Sequence, residues 1–309
     1  MFSVVFPGQG SQSVGMGKEF YDKYSIVKNY FQEADDTLNF KISNLILEGP
    51  KSDLDLTINT QPAIFLISFS IFNVIKKEFG LDLNKGKYFA GHSLGEYSAL
   101  ACSGYLNFND TLKILKQRGE AMQNAVPEGK GGMLAVLGTS IEDIEILLKE
   151  NVSKINAQIA NDNSNGQIVV SGKIDDIDQL SDLLKLKNVK NIKLPVSAPF
   201  HSSLMKKATE NMKEKINALN FSNGQNNLIS NVTAKESSNI SEIKELLVKQ
   251  IESRVRWRES VINMINNGVN QFIEIGPGKV LCGLIKRINK DLKLISINSE
   301  ADINSIDIK

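Results

Sequence analysis

The 309-residue chain reads as an α/β protein, a large domain on a parallel sheet with a smaller βαββαβ subdomain inserted into it. Three observations point there. Short apolar runs ending at glycine-bearing turns are followed by segments of helical period, the rhythm of parallel strands joined by helices. The pattern changes after Pro127-Glu128-Gly129, where strands and helices follow the order of a ferredoxin-like unit. It changes back around Pro195 and Pro199. The small subdomain is therefore set at residues 128–197, and residues 1–127 and 198–309 form one discontinuous large domain.

Phe2–Phe6 is an apolar run stopped by Pro7-Gly8, a buried strand. Residues 18–38 have helical period, and 61–79 form a strongly apolar helix suited to the interior. A short strand, 87–90, ends at Gly91 and is followed directly by a helix over 94–103. The next helix spans 110–123, with Asn109 as its cap. In the subdomain, strands are expected at 132–137, 155–160, 167–171 and 189–194, with helices at 141–150 and 174–186. The segment NDNSNG at 161–166 is read as the turn between two of these strands. The large domain resumes with a helix from Ser203, a strand at 227–230, a helix from Ser241 and a strand at 271–275. A final helix follows Gly276-Pro277-Gly278.

Composition narrows the function. Net charge is +1, so bulk charge draws the chain to neither nucleic acid nor an anionic membrane. Two cysteines, Cys102 and Cys282, are too few for a disulfide framework and lie in no metal-ligand spacing, so buried thiols are expected. The N-terminal apolar run has no basic residues before it and is not a signal peptide. The apolar stretch 63–75 is broken by Ser68, Ser70 and Asn73 and falls short of the roughly 20 residues a membrane span needs. A cytoplasmic enzyme is the expectation, with a monomer as the default.

Gly91-His92-Ser93-Leu94-Gly95 fits the nucleophile-elbow pattern G-x-S-x-G. A serine on a sharp turn between strand and helix projects its hydroxyl above the sheet. The helix start behind it offers free N–H groups and a positive dipole end to a developing oxyanion. Such a hydroxyl needs a base, and the chain holds two histidines. His92 adjoins Ser93 on the turn, where neighbouring side chains point apart, and is read as a packing residue. That leaves His201, in a loop where the chain leaves the small subdomain.

The segments FPGQGSQ at 6–12, TQPA at 60–63, GHSLGEYSAL at 91–100, QRGEAMQ at 117–123, VSAPFHSSLM at 196–205 and EIGPGKVLCGLIKR at 274–287 together resemble the malonyl-CoA:acyl-carrier-protein transacylases over nearly the whole chain. The resemblance implies an α/β-hydrolase-like core with the ferredoxin-like subdomain. It implies that Ser93 carries the acyl group, that His201 is the base, and that the Gln9 and Leu94 amides form the oxyanion hole. The main-chain carbonyl of Gln250 would orient His201 where a triad uses a carboxylate. Arg118, which alone would read as a solvated helix residue, would pair with the malonyl carboxylate. Gln61 would line the same pocket, and Phe200 would favour an unbranched malonyl group.

The implied partners are malonyl-CoA and an acidic acyl carrier protein, transiently docked on a basic patch drawn from Arg254, Arg256, Arg258, Lys279, Lys286, Arg287 and Lys290. Trp257 among the arginines is read as a structural anchor. The implied reaction needs no metal or redox cofactor. A serine hydrolase or thioesterase on the same elbow and a non-catalytic carrier-protein-binding module remain the alternative readings, and the pathway of the carrier protein, fatty acid or polyketide, stays open.

Overall fold

The computed structural model describes residues 1–196 and 198–308. Ser197, placed above at the end of the small subdomain, lies outside the described residues. Its strands are β1 (Phe2–Phe6), β2 (Tyr88–Gly91), β3 (Gly131–Leu137), β4 (Ala157–Ser164), β5 (Gln167–Lys173), β6 (Lys190–Lys193), β7 (Asn227–Ile229), β8 (Glu236–Ser237), β9 (Gln271–Ile275) and β10 (Lys293–Ile297). They form a six-stranded sheet, ordered β10-β9-β1-β2-β7-β8, and a four-stranded sheet, ordered β4-β5-β3-β6. In the larger sheet β10, β9, β1, β2 and β7 run parallel, and β8 closes the edge antiparallel. All pairs in the smaller sheet are antiparallel.

β1 sits in the middle of the large sheet and every one of its residues is buried. That is why FSVVF has no polar alternation: both faces are covered by helices. The apolar helix Thr57–Glu78 packs within the main core beside the helix Phe108–Gln123. It is long and apolar enough to cross a membrane, yet most of it is buried inside the fold. It begins at Thr57, ahead of the expected start at residue 61, and Pro62 lies inside it. Glu274 on β9 accepts hydrogen bonds from the N–H groups of Leu281 and Cys282 at 3.0 and 2.7 Å. A carboxylate thus caps the helix Val280–Ile288 at its positive end.

Several expectations need correction. The helical stretch from residue 18 breaks at Tyr24, which is extended (φ −111°, ψ 121°), into Lys18–Lys23 and Ser25–Leu38. The cap of the helix Phe108–Gln123 is Asn107, whose side chain accepts from the Asp110 N–H. Asn109 instead bonds Glu33 and Thr37. Residues 161–164 belong to β4, and the turn is confined to Asn165-Gly166. That polar run holds its strand through tertiary partners: Asn161 bridges to Val255, and buried Asp162 pairs with Arg258 at 2.9 Å. The helix after Gly278 is not the last element, since β10 and the short helix Glu300–Ile303 follow. Cys102 is buried as expected, whereas Cys282 is only partly so.

Candidate active site

The end of β2 delivers Ser93 on a turn in the left-handed region, φ 54°. The helix Gly95–Cys102 begins immediately behind it. Both elbow glycines are dictated by space. A Cβ on Gly91 would lie 1.9 Å from the Gly95 carbonyl carbon, and one on Gly95 would lie 2.2 Å from the Phe6 carbonyl oxygen. The turn is braced by Asn231, just beyond β7. Its side chain accepts from the Ser93 N–H at 2.7 Å and donates to the Gly91 carbonyl at 2.7 Å. With the Ser93 N–H occupied, the next amide is the one left to face a ligand. Among the described residues neither the Leu94 nor the Gln9 N–H has a partner within the chain.

His201 follows Phe200 with φ 55° and is buried. Its Nδ1 lies 2.9 Å from the Gln250 main-chain oxygen, and its Nε2 lies 2.8 Å from Ser93 Oγ. A carbonyl can only accept, so Nδ1 carries the proton and Nε2 is the bare acceptor for the serine hydroxyl.

Arg118 is 1% exposed. One guanidinium nitrogen donates to Gln61 Oε1 at 2.7 Å; the other donates to Gln250 Oε1 at 2.7 Å and to Ser93 Oγ at 3.2 Å. Its Nε has no partner among the described residues. All of these partners are neutral oxygens, so a buried cation faces the nucleophile with no carboxylate in ion-pair contact among the described residues. Such a group calls for an anion. Gln9, Gln61, Ser93, Leu94, Arg118, Phe200 and His201 all line one cavity of about 110 Å³, and Gln250 sits behind it. Met133, Leu194 and Val196 close the cavity from the side of the smaller sheet.

Residues 3–302 match the family model described as acyl transferase domain. The chain is 44% identical to the malonyl CoA-acyl carrier protein transacylase of Bacillus subtilis (strain 168), over 97% of this chain and 94% of that one. Its fold is similar to the acyl-carrier-protein-S-malonyltransferase of Bartonella henselae, with a TM-score of 0.95 and 42% identity over 98% and 97% of the two chains. It is also similar to a malonyl-transacylase solved in complex with a type II PKS acyl-carrier protein, with a TM-score of 0.94 and 36% identity over 98% of each chain.

The chain belongs to the malonyl-CoA:acyl-carrier-protein transacylase family.

In this transacylase-family enzyme the His201 imidazole is pushed down to about 3, first by burial and then by the Arg118 cation, with a smaller contribution from His92. A depressed value keeps the ring neutral, and so able to accept a proton, well below the ordinary 6.5. The acid limb of kcat/KM, which reports the free enzyme, is therefore expected below pH 6.5. Arg118→Ala should move it upward by removing the second cause. Single-turnover acylation across the acid range checks this, and a wild-type limb at or above 6.5 would contradict it.

His92 donates from Nε2 to Asn163 Oδ1 at 2.8 Å, and its ring lies 5.9 Å from that of Trp257. It packs as the turn argument expected. Trp257 is fully buried. Sequence reasoning passed over Asn231 and Glu96. Glu96 is a buried carboxylate in the otherwise uncharged helix GEYSALAC, and its burial lifts it to about 7. A lone charge in such a helix was the signal available. Of the residues expected in a basic patch, Arg254 pairs with Glu145 and Glu259, Arg256 with Glu259, and Arg258 with Asp162. Lys279, Lys286, Arg287 and Lys290 remain exposed.

Proposed function

We propose that this enzyme moves the malonyl group from malonyl-CoA to the phosphopantetheine thiol of an acyl carrier protein through a malonyl-Ser93 ester, in the service of fatty acid synthesis. The observation that carries the reading is Arg118, a buried guanidinium with no carboxylate in ion-pair contact among the described residues, 3.2 Å from the Ser93 hydroxyl. Ser93 Oγ attacks the thioester carbonyl carbon as its proton passes to His201 Nε2. The Gln9 and Leu94 amides receive the oxyanion. The carbon–sulfur bond breaks, and the imidazolium returns its proton to the CoA thiolate. The carrier thiol then attacks the ester with the same groups in reverse order. The Gln250 carbonyl holds the productive tautomer throughout.

A carboxylate held by Arg118 offsets the cation that depresses His201, so the base strengthens when the correct acyl group is bound. Gln61 steadies the guanidinium. Phe200 narrows the cavity against branching at the malonyl carbon. A second cavity of about 370 Å³ shares Gln9, Thr57, Leu194, Val196 and Phe200 with the first, and suits the pantetheine arm. The core is read as α/β-hydrolase-like on the strength of the parallel sheet and elbow. The unit 128–197 is read as ferredoxin-like, since its βαββαβ order comes with an antiparallel sheet whose first and third strands are central. Lys279, Lys286, Arg287 and Lys290, on and beside one helix, are the favoured contacts for an acidic carrier protein. The enzyme is read as a cytoplasmic monomer that needs no cofactor.

Arg118→Ala tests the substrate. Removing the partner of a buried charge costs about 3–5 kcal/mol, and each 1.4 kcal/mol is about tenfold. Malonyl transfer should fall by roughly two to three orders of magnitude. Acetyl transfer should fall little or rise. Arg118→Lys should rescue only in part, because an ammonium lacks the planar fork. Specificity constants for malonyl-CoA and acetyl-CoA decide it: equal losses for both would make the arginine structural.

A further inference from the structure

We propose that Glu96 is a positioning residue that sets malonyl selectivity by locking the side-chain amide of Gln250. The inference rests on the transacylase reading above. Glu96 is 4% exposed, in the first turn of the elbow helix. Its Oε2 accepts from Gln250 Nε2 at 2.7 Å and from the Asn231 N–H at 3.2 Å. The same Gln250 nitrogen donates to the Ser93 carbonyl at 3.0 Å, while Gln250 Oε1 accepts from Arg118. The amide is thereby held one way round. A flip would set its oxygen against two oxygens, and its NH₂ against a guanidinium.

One carboxylate oxygen thus joins the elbow, the brace residue Asn231 and the residue behind both His201 and Arg118. A carboxylate is a costly choice for this buried position, and burial accordingly raises its proton affinity. The relay needs only an oxygen that accepts at the Oε2 position, so it works with Glu96 charged or neutral. Without that oxygen the amide loses the shorter of its nitrogen's two bonds and is held only by the Ser93 carbonyl and Arg118, so the partner that aims the arginine's fork at the substrate carboxylate is less firmly fixed. The main-chain carbonyl of Gln250, which orients His201, remains in any side-chain variant.

The test compares kcat/KM for malonyl-CoA and acetyl-CoA. Glu96→Ala should lower the malonyl value about 10- to 100-fold, the range for losing a charge-assisted hydrogen bond. The acetyl value should change by less than about threefold. Glu96→Gln should restore selectivity to within about threefold, because its amide oxygen can take both bonds. Gln250→Ala should reproduce the selectivity loss, and adding Glu96→Ala to it should cost little more, as expected of residues acting in series. Equal losses for both substrates, a Glu96→Gln as unselective as Glu96→Ala, or an undiminished Glu96→Ala effect beside Gln250→Ala would each overturn the proposal. If Glu96→Ala does not fold, an unchanged selectivity in Gln250→Ala overturns it alone. Intact-mass measurement of wild type with malonyl-CoA separates the two readings: no malonyl adduct defeats the transacylase reading, whereas an adduct with unmoved selectivity defeats only the role of Glu96.

Discussion

Ser93→Ala is expected to abolish the acyl-enzyme altogether while leaving the fold in place. The substitution removes one oxygen and keeps the Cβ, so the left-handed turn at φ 54° is no more strained than before. Arg118 keeps its bonds to Gln61 and Gln250, and His201 keeps its bond to the Gln250 carbonyl. What goes is the bond from Ser93 Oγ to His201 Nε2 and the longer one it accepts from Arg118, together worth about 1–2 kcal/mol to stability. Thermal unfolding should shift by a few degrees at most, on the order of 1–2 kcal/mol. Intact mass after incubation with malonyl-CoA should show the unmodified protein alone. A variant that still gains the malonyl mass would put the nucleophile elsewhere.

His201→Ala is expected to slow both half-reactions, because in the proposed mechanism the same imidazole would take the serine proton in one and the carrier thiol proton in the other. General-base contributions run about 100- to 10,000-fold. The upper part of that range is expected here for a geometric reason. Ser93 Oγ lies 2.8 Å from His201 Nε2, and its other polar neighbour is Arg118, which donates to it at 3.2 Å. A donor cannot take the proton, so among the described residues no second base stands ready. His92, the other histidine, is turned to Asn163. Single-turnover rates for malonyl loading, and for discharge to a carrier protein or a pantetheine thiol, measure the two steps separately. Loss in one step only would mean that different groups serve the two directions.

Legibility of the site followed the range of the interactions involved. The elbow was readable because its cause is local: five consecutive residues, two glycines where neighbouring backbone passes, and a strand and helix on either side. Arg118 was readable only by resemblance. It shares its helix face with buried Ile114, Leu115 and Met122, which hints at burial but not at a role; the groups it meets, Gln61, Ser93 and Gln250, are separated from it by 57, 25 and 132 positions. Glu96 and Gln250 meet across 154 positions, and nothing in either local pattern announces the other.

The secondary-structure misses have the same origin. Asn161 and Asp162 look like turn residues, and they hold a strand because Val255 and Arg258 come to meet them. The arginines at 254, 256 and 258 look like a docking patch in sequence, and they pair with Glu145 and Asp162 from elsewhere in the chain and with nearby Glu259.

The sequence by itself determined the alternation of strands and helices, the elbow and its serine, and, because only two histidines exist, the one candidate left for the base. Backbone sterics and hydrophobic period act over a few residues, so they can be read in order along the chain. No local pattern showed that Arg118 is buried against Ser93 or that the Gln250 main-chain oxygen lies 2.9 Å from His201 Nδ1, although the resemblance implied roles for both, and the tertiary structure alone put Glu96 behind them. Those facts depend on which polar atoms are left facing one another once water is excluded, and that is settled only when distant segments pack together.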